Sequence, residues 1–123
     1  MNTDWVRAVC LKLPFTTEEM LWGSLVFKIG GKMFAVAALE PGKVCLSFRA
    51  SEENFAELVE RESIIPAPYL ARHHWVALES EAAIGAAELR KLLGEAYEIV
   101  KGKLPKKTRE GLEKKPVPKA KKA

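Results

Sequence analysis

A chain of 123 residues with a 48% hydrophobic content is one domain by the usual prior, long enough to bury a real core. Its longest apolar run, residues 34–39, is far short of the roughly 20 residues of a membrane helix, and no charged-then-apolar leader opens the sequence. A soluble, cytoplasmic protein with no membrane partner is the expectation. The formal net charge of +4 is unevenly placed: residues 1–100 hold ten Lys/Arg against fourteen Asp/Glu, whereas residues 101–123 hold ten against two. A mildly acidic body cannot draw in nucleic acid through its overall field, so such binding would have to come from local basic points or from the tail. Cys10 and Cys45 have neither a CxxC spacing nor a secretory context, and they read as reduced core thiols.

Thr3 is placed to cap a first helix over residues 4–12, with Asp4 favourable at the helix dipole's positive end. Its apolar side is Trp5 or Val6, Val9 and Leu13 with Cys10 beside them, and Leu13-Pro14 ends it. Residues 16–20 read equally as one further helical turn or none, followed by Trp22 as an anchor and Gly23 as a bend.

Leu25-Val26-Phe27-Lys28-Ile29 and residues 33–39 flank Gly30-Gly31, two residues that both accept positive φ in a type I′ hairpin. Pairing Ile29 with Lys32 then sets Phe27 opposite Phe34 and Leu25 opposite Val36 on a core face, with Lys28 opposite Met33 on the other. A third strand, residues 44–49, follows the Glu40-Pro41-Gly42-Lys43 turn. Keeping Val36 and Ala38 on the face of Leu46 and Phe48 asks for a three-residue loop with a bulge near Gly42.

Ser51 caps a helix running to about residue 61, with Glu52 and Glu53 in its first turn and Phe55, Leu58 and Val59 as its buried stripe. Pro66 and Pro68 fix their own φ and hold Ile65 and Ala67 extended, making a rigid corner that feeds a strand over residues 74–79. Tyr69 and Trp75 are expected to wall this corner. A long amphipathic helix over residues 85–101 carries Leu89, Leu92, Leu93, Ala96 and Val100, and Pro105 stops it. The Lys-rich remainder, with Pro116 and Pro118, is expected to be disordered.

Three stretches stand out together: Lys28-Ile29-Gly30-Gly31-Lys32-Met33-Phe34-Ala35, the corner from Ile65 to Leu78, and Leu104-Pro105-Lys106-Lys107. In these the chain closely resembles the MmcQ/YjbR family of small bacterial proteins, from about residue 5 to residue 109. The resemblance implies a fold related to frataxin and a DNA-binding role resting on two β-hairpin wings. The expected architecture is therefore α+β: an antiparallel sheet, a three-strand meander plus a later strand, packed against helices in a domain of residues 1–104, with residues 105–123 as a basic tail.

Catalytic and metal chemistry find little support in the residues. A phosphate-binding Walker loop around Gly31-Lys32 would need glycine at Val26 and Ser or Thr at Met33. No serine sits in a nucleophile elbow, and neither cysteine has a histidine within a recognisable local motif. Adjacent His73 and His74 in a strand would point to opposite faces, and Glu53, Glu57 and Glu60 form one row on a helix rather than a convergent metal site. No enzyme activity, cofactor or metal is expected.

What remains is binding. Lys28, Gly30, Gly31 and Lys32 form one basic tip and Lys43 marks the other, with Arg49, Arg72 and His73 joining if the sheet and corner bring them to one side. Lys106, Lys107 and Arg109 begin the basic tail. Lysine contacts to phosphate imply weak, sequence-tolerant and salt-sensitive DNA binding by a monomer. The competing reading is a protein-interaction or small-ligand domain whose corner, residues 66–75, shapes a groove.

Overall fold

The computed structural model describes residues 2–68, 70 and 73–114. The elements run α1 (Thr3–Leu11), β1 (Thr17–Leu21), β2 (Ser24–Ile29), β3 (Lys32–Ala38), β4 (Leu46–Arg49), α2 (Glu52–Leu58), β5 (Ile64–Pro66), β6 (Trp75–Leu78), α3 (Ala86–Gly102) and α4 (Lys106–Lys114). The α+β expectation holds, with a larger sheet: six antiparallel strands in the order β1-β2-β3-β4-β6-β5.

Two strands escape the sequence reading. Thr17–Leu21, read as a helical turn or none, is the edge strand β1, joined to β2 through Trp22-Gly23 at φ 45° and 79°. Positive φ at both positions is the type I′ geometry of a two-residue hairpin, so the bend takes over what looked like a helix start. Ile64–Pro66 adds the other edge, where Pro66 is tolerated because an edge strand need not use every N–H.

The β2–β3 register departs from the expected one after the turn. Ile29 pairs with Lys32 and Lys28 with Met33 as expected, but Phe27 then pairs with Ala35 and Leu25 with Ala37. Phe34 is the extra residue of a β-bulge. It remains fully buried on the core face while the alternation beyond it inverts, which moves Val36 to the reverse face. The same inversion removes the need for an odd, three-residue loop. Ala35 and Ala37 pair with Phe48 and Leu46, Ala38 N donates to the Cys45 carbonyl at 3.0 Å, and the even stretch of residues 39–44 forms the connection.

The main core lies between the sheet and α1, α2 and α3. It joins Val6 and Cys10 to Leu25, Phe27, Ile29, Phe34, Leu46, Phe48, Val76 and Leu78, closed by Leu89, Leu92, Leu93, Ala96, Tyr97 and Val100. Tyr97 sets its ring edge-on to Phe34 at 5.6 Å and donates its hydroxyl to the Pro14 carbonyl at 2.6 Å. On the reverse face a smaller cluster of Ala67, Trp75 and Ala77 gathers Met33, Val36, Val44, Ile65 and Leu70. Trp75 is thus the buried wall anticipated at the corner, and Tyr69 lies outside the described residues.

Local chemistry sets the helix ends. Asn2, rather than Thr3, caps α1, its Oδ1 accepting from Trp5 N at 2.8 Å. Ser51 caps α2 as expected, but that helix ends at Leu58 rather than near residue 61. Helix α3 follows its apolar periodicity from Ala86 to Gly102. The chain expected to be disordered from Lys106 instead continues as α4, whose Leu112 packs on the core behind the buried Leu104. Pro105 stands between them, just before α4, where its carbonyl accepts from Arg109 N at 3.0 Å and its missing N–H costs nothing. Residues 115–123 lie outside the described residues.

Candidate functional site

Strand polarity decides which basic residues can meet. Strand β3 begins at the Gly30-Gly31 turn, β4 returns antiparallel and finishes at Arg49, and β6 starts beside it with Trp75 opposite Arg49. Helix α3 finishes at this same end, because Leu104 lies against the turn: a Cβ added at Gly30 would sit 2.6 Å from Leu104 Cδ1. Turn, strand end and helix end together shape a cleft of about 430 Å³ lined by Lys32, Arg49, His73 and Lys103 with Met33, Leu70, Trp75 and Val100. Three cationic side chains and an imidazole thus face four largely apolar side chains, and among the described residues no carboxylate lines the wall.

The ion pairs sharpen this picture. Arg7 is held by Glu18, Lys28 by Glu19 at 2.6 Å, and Arg61 by both Glu57 and Glu88. Among the described residues Lys32, Arg49 and Lys103 take part in none of these pairs. Arg49 also holds its Nε out of water with no hydrogen-bond partner among the described residues. A buried N–H left in that state is unfavourable until an acceptor arrives. At the end of α3 backbone carbonyls, not amides, face outward, so an anion here must be held by the side chains alone.

Of the residues singled out in the sequence, Gly30, Gly31, Lys32, Arg49 and His73 come together at this end. Lys28 is on the same hairpin, but its charge is already answered by Glu19 across the β1–β2 pair. Lys43 is in the connection at the far end of β3, about 20 Å away at the usual strand rise, so the two tips do not form one patch. Lys106 and Lys107 are exposed on α4, and Arg109 is half-buried there. Arg72 lies outside the described residues. His73 and His74 are not strand neighbours, since β6 starts only at Trp75. His74, at φ 65°, packs edge-on against Phe55 while exposed His73 lines the cleft.

One residue of the cleft went unnoticed in the sequence, and one aromatic residue was misplaced. Lys103 joins the cleft from the end of α3, and its only advance signal is its place just before Leu104-Pro105. Trp22, read as an anchor, is 99% exposed at the β1–β2 tip, beside exposed Met20 and Leu21.

A larger concavity, about 810 Å³ between α2 and α3, is a weaker candidate. There Asn54 donates to Glu95 at 2.8 Å and Arg61 clamps Glu88, so the polar groups serve each other. Burial pushes the Cys10 thiol up to about 12 and raises that of Cys45, which makes neither a ready nucleophile. Among the described residues no three His, Cys, Asp or Glu side chains converge as a metal site, and no helix is long and apolar enough to cross a membrane.

Comparison with known proteins agrees with this architecture. The chain is 26% identical over 111 residues to the uncharacterized protein YbdF of Escherichia coli O157:H7, covering 85% of this chain and 88% of that one. The crystal structure of Deinococcus radiodurans protein DR2400, a DUF419 domain, superposes with a TM-score of 0.81 at 30% identity, over 91% of this chain and 88% of that one. A Pseudomonas syringae protein of 19% identity shares the fold alone, with a TM-score of 0.67 over 81% of this chain and 99% of that one. The YjbR family model matches residues 11–99, from the end of α1 through most of α3, and the chain belongs to the YjbR family.

Proposed function

We propose that this protein is a non-catalytic DNA-binding module of weak affinity and little sequence preference, acting as a monomer through one basic end of the domain. The observation that carries this reading is the convergence of Lys32, Arg49, His73 and Lys103 on a single cleft, with no carboxylate among its described lining residues, at the end where the chain passes into α4. Lys106 and Lys107 on α4 and the four lysines of residues 115–123 extend positive charge from that end. The two-wing arrangement is replaced by one hairpin, one cleft and the C-terminal helix.

The test is fluorescence anisotropy of a labelled duplex at two salt concentrations, with the full chain, a chain ending at Lys114 and the Lys32→Gln/Lys103→Gln variant. Cutting at residue 104 would strip a 4% exposed core leucine and the packing of Leu112, whereas a cut after α4 leaves both in place. Affinity should fall steeply with salt, at about 0.9 log units per log salt for each phosphate neutralised. Losing the last nine residues should flatten that slope without abolishing binding at low salt. Absence of low-salt binding by the chain ending at Lys114 would overturn a DNA role for the body.

A further inference from the structure

We propose that the Arg49 cleft is a discrete site for a phosphate monoester carried on a nucleoside-sized body, as at a phosphorylated strand end or in a free nucleotide. This rests on the basic end described above but asks more of it. Along a continuous duplex each phosphate is a diester with one charge, and its neighbour on the strand lies about 3.4 Å further along the helix axis, a pattern matched by lysines strung over a surface. Here Lys32, Arg49 and Lys103 bring three fixed positive charges, with the His73 imidazole beside them, to one concavity. One diester calls for much less. A terminal monoester carries about −1.5 to −2 near neutral pH and three strong acceptor oxygens, which fits the number of donors.

Arg49 narrows the chemistry further. Its planar fork suits a tetrahedral anion with paired acceptors, and its Nε is shielded from water with no acceptor among the described residues. A monoester oxygen entering the cleft would supply one. Lysine at the same position would keep the charge and lose both the fork and that N–H.

The remaining wall suits the organic half of such a ligand. Met33, Leu70 and Val100 present apolar surface above buried Trp75, and about 430 Å³ lies within the range of small-molecule pockets. Inorganic phosphate would leave that surface unused, so it should bind more weakly than a nucleoside monophosphate.

The experiment uses the full-length protein, followed by isothermal titration and by anisotropy. Its probes are a hairpin oligonucleotide with a 5′-phosphate, the same hairpin with a 5′-hydroxyl, a covalently closed dumbbell duplex without ends, adenosine monophosphate, adenosine and inorganic phosphate. The phosphorylated end should bind about tenfold more tightly than the hydroxyl end at moderate salt. Arg49→Lys should remove that preference while leaving the melting temperature in place, and any loss of affinity it causes on the dumbbell should be shared equally by the two hairpins. Binding of adenosine monophosphate but not adenosine identifies a free nucleotide as a sufficient ligand, and preference for the phosphorylated hairpin alone identifies a strand end. Equal binding of phosphorylated and hydroxyl forms in both pairs would overturn the monoester site, as would a preference that survives Arg49→Lys. Failure of the dumbbell to bind refutes the broader duplex reading and leaves the monoester comparison to be decided on its own probes.

Discussion

Gly30 sits against Leu104 so closely that any side chain at position 30 would have to displace it. A Cβ there would lie 2.6 Å from Leu104 Cδ1, and the backbone is at φ 60°, while Gly31 at φ 83° has open space around it. Gly30→Ala should therefore cost more than the ~1–2 kcal/mol of a left-handed alanine, and Gly31→Ala about that amount alone. Chemical denaturation of both variants checks the order. Adding Leu104→Ala to Gly30→Ala should recover part of the excess, because it removes the obstructing methyls.

Phe34 tests the bulge. It is fully buried and meets the edge of Tyr97, so Phe34→Ala should cost about 3–5 kcal/mol. Val36→Ala, on the reverse face, should cost much less than it would in the main core. Tyr97→Phe removes one hydrogen bond to Pro14 and should lose about 0.5–1.5 kcal/mol in urea unfolding.

The bulge also marks how far the sequence could be read. The Gly30-Gly31 turn, the Phe34 core position, the Ser51 cap and the α3 stripe all follow from local chemistry, and each stands where it was expected. Strand β1 did not, since Thr17-Glu18-Glu19-Met20 has no apolar alternation: an edge strand with little burial leaves no period to detect. The site was half legible. Lys32, Arg49 and His73 were visible as charges, but their meeting with Lys103 depends on Leu104 docking under the turn, a contact with no signature in the sequence.

Trp22 occupies the first position of a type I′ turn at φ 45°, where asparagine is favoured and a bulky side chain is strained. It is also 99% exposed and contributes almost no burial. Trp22→Asn should raise the melting temperature, consistent with a gain of about 0.5–1 kcal/mol. Differential scanning calorimetry would expose a loss instead, which would mean that the indole stabilises the tip in a way its exposure does not account for.

Arg61 grips Glu57 and Glu88 at 2.9 Å each, and this holds the Glu88 carboxyl below its usual range. A depressed folded-state pKa gives stability that is present above the ordinary carboxylate value and is lost as pH falls through the depressed one. Both carboxylates are about half exposed, so the effect belongs with surface pairs, at most ~1 kcal/mol, and weakens in salt. Glu88→Gln should flatten the acid limb of the stability curve only slightly. Thiol labelling gives an independent check on burial: at pH 8 Cys45 should react slowly and Cys10 only on unfolding, since burial raises both thiols and takes Cys10 to about 12.

Lys28 and Lys32 flank the same turn and yet should answer charge reversal in opposite ways. Lys28 is paired with Glu19 at 2.6 Å, so Lys28→Glu sets two carboxylates side by side and should cost about 0.2–1 kcal/mol of stability. Its charge is already answered within the fold, and duplex affinity at low salt should change little beyond the general effect of net charge. Lys32 is exposed, has no partner among the described residues and lines the cleft, so Lys32→Glu should leave stability within about 0.5 kcal/mol and sharply weaken binding. Lys43→Glu, at the far end of β3, supplies the control for net charge, since it makes the same change of two units away from the cleft. Equal losses of affinity in all three variants would mean that the protein is read by its partner as a diffuse charge, and the cleft would then have no special part in binding.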